Sequence, residues 1–271
     1  MKSKVYSDDI EDEEAQLLAL HKEFLTKLPD DIKSAAEHTT NNRDELEKSK
    51  YAGCYYCLNI FKPIQIWEWI YEGTADEFPM CPRCGIDSVY GDASSYPVNR
   101  EFLVKMNKYW FDGDGESINE SIATYRRENN IADLTLVNSS KGVEIYINDV
   151  DLIDLLREYE MPFADNEKPS PEPGGYAPIS YEEFLKNAYV TDSDDDLLLY
   201  KCSDCGEPGC WPMVVKVKRE GDKVIWSNFQ QPHRDESSHN YWDYSSFGPF
   251  KFDLHQYDGL LSSLHGRQIR N

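Results

Sequence analysis

Four cysteines in the first third of the chain have the spacing of a closed metal site. Cys54-Tyr-Tyr-Cys57 and Cys81-Pro-Arg-Cys84 are two CxxC pairs separated by twenty-three residues. Each pair can present two thiolates to one ion, and four thiolates make up the tetrahedral set that structural Zn²⁺ prefers. Because such a set leaves no position for water or substrate, we expect this zinc to stabilise the fold and not to catalyse a reaction.

Three more cysteines occur in a second motif, Cys202-Ser-Asp-Cys205-Gly-Glu-Pro-Gly-Cys210-Trp-Pro. A complete zinc site needs a fourth ligand, and His233 or His239 can supply it. The alternative is a tight turn rich in glycine and proline whose thiols pack beside Trp211. The sequence leaves both interpretations open, so it predicts one structural zinc site and adds a second, at Cys202, Cys205, Cys210 and His233, as a further hypothesis.

The start of the chain and its hydropathy favour thiols over disulfides. The first residues run from two lysines into acidic side chains without the apolar segment of a signal peptide. No stretch approaches the roughly 20 apolar residues that cross a bilayer. We therefore expect a cytoplasmic protein with no membrane partner, whose seven cysteines are free thiols or metal ligands.

The composition is strongly acidic. The chain has 50 Asp and Glu residues against 28 Lys and Arg residues, which gives a formal net charge of -22. Binding to nucleic acid or anionic lipid relies on clustered positive charge, so both partner classes are disfavoured. A basic protein is the partner that the charge favours. Hydrophobic residues make up 40% of the chain, which is enough to build a core and argues against wholesale disorder.

The elements that must position these motifs divide the chain into four segments. We expect an amphipathic helical segment over residues 1–37, the zinc-binding module over 38–112, a connector over 113–140 and a second domain over 141–271. Pro29 is expected to end the first helix, and a short helix is expected from Pro63 to Ile70, between the CxxC pairs. Gly85, directly after the second pair, is expected to adopt a positive φ angle.

The second domain is predicted to alternate short strands and helices. Gly142–Ile147 is predicted to be a strand, Asn148 and Asp149 to cap a following helix, and Pro162–Pro178 to be a long loop. Residues 211–226 have the pattern of a β-hairpin. The expected fold class is therefore α+β, with a small zinc-ribbon-like module at the N-terminus and a C-terminal domain that combines an antiparallel sheet with helices.

Two parts of the chain resemble uncharacterised bacterial proteins. Residues 38–112 are similar to a family of small bacterial cytoplasmic proteins of unknown function through Cys54-Tyr-Tyr-Cys57, Ile66-Trp-Glu-Trp-Ile70 and Cys81-Pro-Arg-Cys84-Gly-Ile-Asp-Ser-Val89. This resemblance implies a zinc-binding module with those four cysteines as ligands, and it implies no reaction. Residues 143–264 resemble a second bacterial domain through Cys205-Gly-Glu-Pro-Gly-Cys210-Trp-Pro212 and Gln231-Pro-His233-Arg234, and no activity follows from that similarity.

The charge, the closed metal site and the lack of a catalytic set of side chains together predict a non-enzymatic interaction protein. Its concrete form is an immunity or antitoxin-type protein whose acidic surface covers the cleft of a basic nuclease toxin. The group His233, Arg234, Trp242 and Tyr244 is the candidate recognition surface, because aromatic residues and arginine anchor interfaces. The alternative is that these aromatic side chains fill the core of the second domain.

Two other functions stay open at the level of sequence. An enzyme could work through His233 and Arg234, although acid–base chemistry also needs a substrate pocket. A nucleic-acid binder could use a thin basic patch on the zinc module with aromatic residues that stack on bases; these residues are Arg83, Lys105 and Lys108 with Tyr55, Tyr56 and Trp67. Asp87 and Asp92 could form a carboxylate pair, but turn formation and helix capping account for them without catalysis.

Overall fold

Pro29 separates two helical segments, as the sequence predicts. The computed structural model describes residues 19–20, 22–72, 76–167, 171–189 and 196–266. Residues 22–27 are helical, and helix α1, Asp30–Ala36, begins directly after the proline. Proline suits the start of a helix and not its interior, so the break falls at this residue. The first part of the predicted helix, residues 8–18, lies outside the described residues.

Two small antiparallel sheets form the first part of the fold. The chain divides into two compact units, Met1–Glu120 and Ser121–Asn271. The first unit contains α1, α2 (Arg43–Lys48), β1 (Ala52–Cys54), β2 (Ile60–Phe61), β3 (Trp69–Glu72), β4 (Asp76–Pro79), β5 (Val89–Gly91) and α3 (Arg100–Trp110), and helix α4 (Gly115–Glu128) contains the division. Strand β1 is the middle strand of a sheet of order β2-β1-β5, and β3 pairs with β4 in a separate hairpin.

The prediction of a helix from Pro63 to Ile70 is wrong. Pro63–Gln65 form a single 3₁₀ turn, and Trp69 already belongs to strand β3, where it pairs with Pro79. The apolar spacing that suggested a helix comes from β-branched and aromatic residues, which suit a half-buried strand equally well. The guanidinium of Arg43 lies 3.9 Å from the centre of the Trp69 ring, so the hairpin is held against helix α2.

Helix α3 supplies the core that supports strand β1. The side chain of Asn99 caps the helix by accepting the N–H of Phe102, and Leu103 and Met106 are fully buried. A Cβ atom placed on Gly53, in β1, would lie 3.0 Å from Leu103. The absence of a side chain at Gly53 therefore lets helix α3 approach the strand that ends at Cys54.

The second unit combines a five-stranded antiparallel sheet, a three-stranded sheet and three helices among the described residues. Its elements are β6 (Leu134–Ser139), β7 (Gly142–Ile147), β8 (Val150–Asp151), α5 (Leu152–Ala164), β9 (Tyr176–Pro178), α6 (Tyr181–Ala188), β10 (Leu197–Cys202), β11 (Met213–Glu220), β12 (Lys223–Gln230), β13 (Phe250–Asp253) and α7 (Leu254–Gly266). The strand orders are β13-β12-β11-β10-β9 and β6-β7-β8. The α+β class and the hairpin of β11 and β12 are confirmed.

Two predictions for this unit are wrong in detail. Asn148 and Asp149 do not cap a helix, because both have positive φ angles (49° and 66°) in the turn between β7 and β8. Asp151 is the N-cap of α5 and accepts the N–H of Ile153. The predicted loop Pro162–Pro178 is shorter than expected, since α5 runs to Ala164 and strand β9 begins at Tyr176. No helix in the described part of the chain is long and apolar enough to cross a membrane.

We expect Leu103→Ala to lower the free energy of unfolding by about 2 to 5 kcal/mol, because it empties a fully buried position beside strand β1. Lys108→Ala, at an exposed position of the same helix, is the matched control and should change it by less than about 0.5 kcal/mol. Urea unfolding followed by circular dichroism measures both values. Similar values for the two variants would contradict the packing described for α3.

Candidate metal centres

The four predicted ligands of the first site lie together. The sulfur atoms of Cys54, Cys57, Cys81 and Cys84 are all within 4.8 Å of one another, and all four are free of disulfides. The Cys54 and Cys84 sulfurs are 3.8 Å apart, and the Cys57 and Cys81 sulfurs are 3.7 Å apart. A tetrahedron with metal–sulfur bonds of about 2.3 Å has edges of about 3.8 Å. The spacing of the sulfurs therefore fits coordination of a single ion.

Strand pairing brings the two CxxC pairs to one place. Strand β1 ends at Cys54, and this residue is paired with Val89 at the start of β5. The second CxxC pair comes a few residues before β5, so the antiparallel pairing of β1 with β5 sets the two pairs side by side. Three of the four cysteines are buried, and Cys84 is half-buried. The site is therefore largely shielded from solvent.

Both CxxC pairs are held by the same turn. In each turn the N–H of the first cysteine donates to the carbonyl of the residue five positions later. The carbonyl of the same cysteine accepts the N–H of the residue four positions later. These bonds are Cys54 to Asn59 and Leu58 to Cys54 in the first turn, and Cys81 to Ile86 and Gly85 to Cys81 in the second, at 2.8 to 3.0 Å. The residue after each pair has a positive φ angle, 60° at Leu58 and 70° at Gly85, and the prediction for Gly85 is confirmed. The left-handed conformation is unfavourable for a leucine by about 1 to 2 kcal/mol, and the hydrogen bonds of the turn hold Leu58 in it.

The four thiols strongly affect one another's ionisation. Burial raises the pKa values of Cys54 and Cys81 well above the ordinary value, whereas hydrogen bonds from the neighbouring thiols lower the pKa of Cys57. Several thiolates so close together repel one another unless a cation lies between them. The side-chain amide of Asn59 donates to the Cys57 sulfur at 3.3 Å, and the N–H of Arg83 donates to the Cys81 sulfur at 3.4 Å. Such donors stabilise and orient metal-bound thiolates.

The second motif also forms a group of thiols that could hold a metal ion. The sulfurs of Cys202, Cys205 and Cys210 lie within 4.8 Å of one another. Backbone N–H groups of Cys205 and Asp204 donate to the Cys202 sulfur and lower its pKa. Cys202 is buried, but Cys205 and Cys210 are exposed, unlike the cysteines of the first site.

The structure leaves the predicted fourth ligand of the second site outside this group. Among the described residues, neither a histidine nor a carboxylate joins the three sulfurs within 4.8 Å. The Nε2 atom of His233 instead donates to the carbonyl of Gly209 at 2.8 Å, next to Cys210. His239 is exposed and is likewise not part of the group.

The proposed recognition surface is corrected by the burial of its aromatic side chains. Trp242 is only 2% exposed and Tyr244 only 6% exposed, so neither can anchor a partner by surface contact. Trp242 Nε1 donates to Glu167 at 2.6 Å, and the Tyr244 hydroxyl donates to Glu160 at 2.6 Å. Both aromatic side chains are thus hydrogen-bonded to carboxyl groups inside the domain, to that of Glu160, which is buried, and to that of Glu167, which is largely buried. Their density along the sequence reflects core packing and not a binding face.

Arg234 is also held inside this network. Its guanidinium lies 3.0 Å from a Glu167 oxygen, and the centres of the Trp211 and Trp242 rings lie 5.1 and 4.9 Å from it. Since both charged side chains are largely buried, the pair anchors the segment that follows β12. His233 is exposed and bonds to the carbonyl of Gly209, whereas Arg234 bonds to Glu167, so the two side chains are engaged with different partners.

Sequence reasoning missed the two acids on which this network depends. Glu160 is fully buried and accepts hydrogen bonds from the hydroxyls of Tyr176 and Tyr244 and from the N–H of Gly174. A signal was present in the spacing, because Glu160 continues a buried series at four-residue intervals on α5, with Leu152, Leu156 and Ala164. A glutamate in such a series indicates a buried carboxyl group that needs donors.

The candidate nucleic-acid surface and the candidate carboxylate pair are engaged in structural contacts. Lys105 is paired with Asp31 at 2.6 Å, Arg83 donates to Gln65, and Tyr55 is buried. The carboxylate of Asp92 accepts the N–H groups of Lys50 and Tyr51, at 2.9 and 3.3 Å, and so holds a turn. These contacts favour the structural interpretation of both sets.

No protein-family model, curated protein or solved structure that we compared with the chain matches it, so the resemblances of residues 38–112 and 143–264 stay predictions.

Glu160→Gln should change how stability depends on pH. Burial raises the pKa of Glu160 above its ordinary value, so the protonated form is favoured in the folded state. The stability that this group contributes is present below the ordinary glutamate pKa of about 4.3 and is lost as pH rises through the raised pKa of the folded state. The variant cannot ionise, so its free energy of unfolding should rise relative to that of the wild type as the pH increases from about 4 to the raised pKa of the folded state.

Urea unfolding at a series of pH values measures this difference. Glu158→Gln, at an exposed position of the same helix, is the matched control. A difference between Glu160→Gln and the wild type that stays constant with pH would contradict the assignment of a raised pKa to this carboxyl group.

Proposed function

We propose that this chain is a non-enzymatic, zinc-binding interaction protein that binds a basic protein partner, as an immunity or antitoxin-type protein does. The observation that carries the metal-binding part is the spacing of the four sulfurs at a largely buried position: they all lie within 4.8 Å of one another, with 3.8 Å between Cys54 and Cys84 and 3.7 Å between Cys57 and Cys81. Four thiolates around one ion leave no open position. Zinc in this site therefore contributes folding free energy to a unit with small sheets and does not activate water.

The choice of zinc rests on the ligand chemistry. Thiolates are soft ligands, and a tetrahedral set of four sulfurs is typical of zinc or of iron–sulfur centres. The distances between the sulfurs match a single ion with bonds of about 2.3 Å. In this site Cys54, Cys57, Cys81 and Cys84 would hold the ion, while Asn59 and the backbone at Arg83 orient two of the sulfurs.

The preference for a basic partner rests on the charge and on its placement. The net charge of -22 makes encounter with a basic protein fast and encounter with nucleic acid slow. A surface cavity of about 550 Å³ in the second unit is lined in part by Asp235, Glu236, Asp243 and Tyr241. Asp235 and Asp243 accept hydrogen bonds from Ser237 and Ser245, which lower the pKa values of the two carboxyl groups. A lysine or arginine side chain of a partner suits such a surface.

The other two functions have less support. An enzyme that uses Arg234 would need a guanidinium free to meet substrate, but this one is paired with Glu167 between two indole rings. A nucleic-acid binder would need its lysines and arginines on one exposed face, but Lys105 is paired with Asp31. Both contacts favour a structural role for these residues.

Metal analysis of the purified protein tests the first part. We expect Cys81→Ser to lose one zinc per chain and to abolish the fold of the first unit, because structural zinc contributes on the order of 10 kcal/mol. Cys205→Ser is the matched control and should keep this ion. Elemental analysis by mass spectrometry and circular dichroism measure both effects. Iron in place of zinc, or a wild-type chain without metal, would disprove the zinc proposal.

Charge reversal tests the partner proposal. The chain would be co-expressed with the products of genes adjacent to its own, and a basic product that co-purifies would serve as the probe. We expect Glu236→Lys to slow its association several-fold at low ionic strength, with the difference disappearing at about 0.5 M salt. Glu101→Lys, an equal charge change at an exposed position of helix α3, is the control. The proposal fails if no basic protein binds, or if both variants slow association equally.

A further inference from the structure

The backbone around Cys202 and Cys205 forms the same turn as the two CxxC pairs of the first site. The N–H of Cys202 donates to the carbonyl of Glu207, five residues later, at 3.5 Å, and the N–H of Gly206 donates back to the carbonyl of Cys202 at 3.0 Å. Gly206 has a φ angle of 74°, close to the 70° of Gly85 and the 60° of Leu58. All three CxxC pairs of the chain therefore lie on one type of turn.

The third thiol of the group comes from an adjacent turn, in which the N–H of Cys210 donates to the carbonyl of Glu207 at 3.2 Å. Two consecutive turns thus place three sulfurs within 4.8 Å of one another. The formation of a glycine- and proline-rich turn does not by itself require three sulfurs to lie this close together.

His233 supports this arrangement from outside. A carbonyl oxygen can only accept, so the bond to Gly209 requires the proton of His233 to be on Nε2. The ring therefore holds the loop that carries Cys210, and its nitrogens are not grouped with the sulfurs. This places His233 as a positioning residue, and among the described residues it leaves three protein ligands around an exposed position.

We propose that Cys202, Cys205 and Cys210 bind a second Zn²⁺ as an open three-thiolate site whose fourth position takes an exogenous ligand, a thiolate or an imidazole. Three protein ligands with one free position are typical of zinc sites that exchange ligands, whereas four ligands close the site. Exposure of Cys205 and Cys210 gives such a ligand a path to the ion. The two sites of the chain would then differ in kind: the first is closed, and the second accepts a ligand.

Cobalt substitution of the full chain tests this proposal. Tetrahedral Co²⁺ reports its ligands through visible absorption bands, and the ion lost in Cys205→Ser identifies the second site. We expect two cobalt ions per wild-type chain and one per Cys205→Ser chain. Added imidazole should shift the bands of the wild type and leave those of Cys205→Ser unchanged. If the first site did not bind metal, the Cys205→Ser chain would bind no cobalt, and this result is distinct from a failure of the second site.

Three outcomes would overturn the proposal. In the first, the wild type and Cys205→Ser bind the same number of cobalt ions. In the second, the absorption bands of the wild type do not respond to imidazole. In the third, only His233→Ala responds to imidazole, which would make His233 the fourth ligand. In His233→Ala we expect both ions to bind and the response to imidazole to remain.

A glycine pair provides a backbone control. Gly206→Ala should weaken cobalt binding at the second site about five- to thirty-fold, since a left-handed alanine costs about 1 to 2 kcal/mol in the turn that the ion requires. Gly209→Ala should have no effect, because Gly209 has no positive φ angle and a Cβ atom at either glycine meets nothing within 4 Å. Equal affinities of the two variants would count against the turn as a metal-binding element.

Discussion

Close packing of sulfur atoms is the constraint on which the first unit depends. Thiols within 4.8 Å of one another at a buried position cannot all ionise without a cation, and as neutral thiols they contribute little to a core. The pairing of β1 with β5 sets the two pairs side by side, and helix α3 packs against β1 through the space left at Gly53. Sheet, helix and sulfur cluster therefore depend on one another. An ion at their centre would stabilise all three together.

Buried carboxylates have the corresponding role in the second unit. Glu160 accepts two tyrosine hydroxyls and a backbone N–H, and Glu167 accepts from Arg234, Asn240 and Trp242. A buried polar group is tolerated only when hydrogen-bond partners surround it, so the polar and aromatic residues after β12 are drawn inward. Residues whose types suggest a binding face are thereby used to hold the domain together.

Prediction from sequence succeeded where the signal was local. The break at Pro29, strand β7 and the hairpin of β11 and β12 all follow from spacing over a few residues. It failed where two elements share a pattern. Ile66 and Ile70 suit a helix or a strand equally, and pairing of Trp69 with Pro79 decided for the strand. Asn148 and Asp149 suit a cap or a turn, and the β7–β8 connection decided for the turn.

The sequence by itself identified the four cysteines that could hold a metal ion at the first site, because the spacing of each CxxC pair lets its two sulfurs face one ion. It also determined the acidic charge, which depends only on composition. Only the tertiary structure decided that Trp242 and Tyr244 are buried, that Arg234 is paired with Glu167, and that His233 stays outside the second cluster of thiols. The physical reason is that burial and pairing depend on contacts between residues up to 84 positions apart, as in the bond between Tyr244 and Glu160. Local spacing can indicate that a side chain is buried, but it does not specify the distant partner that the side chain contacts.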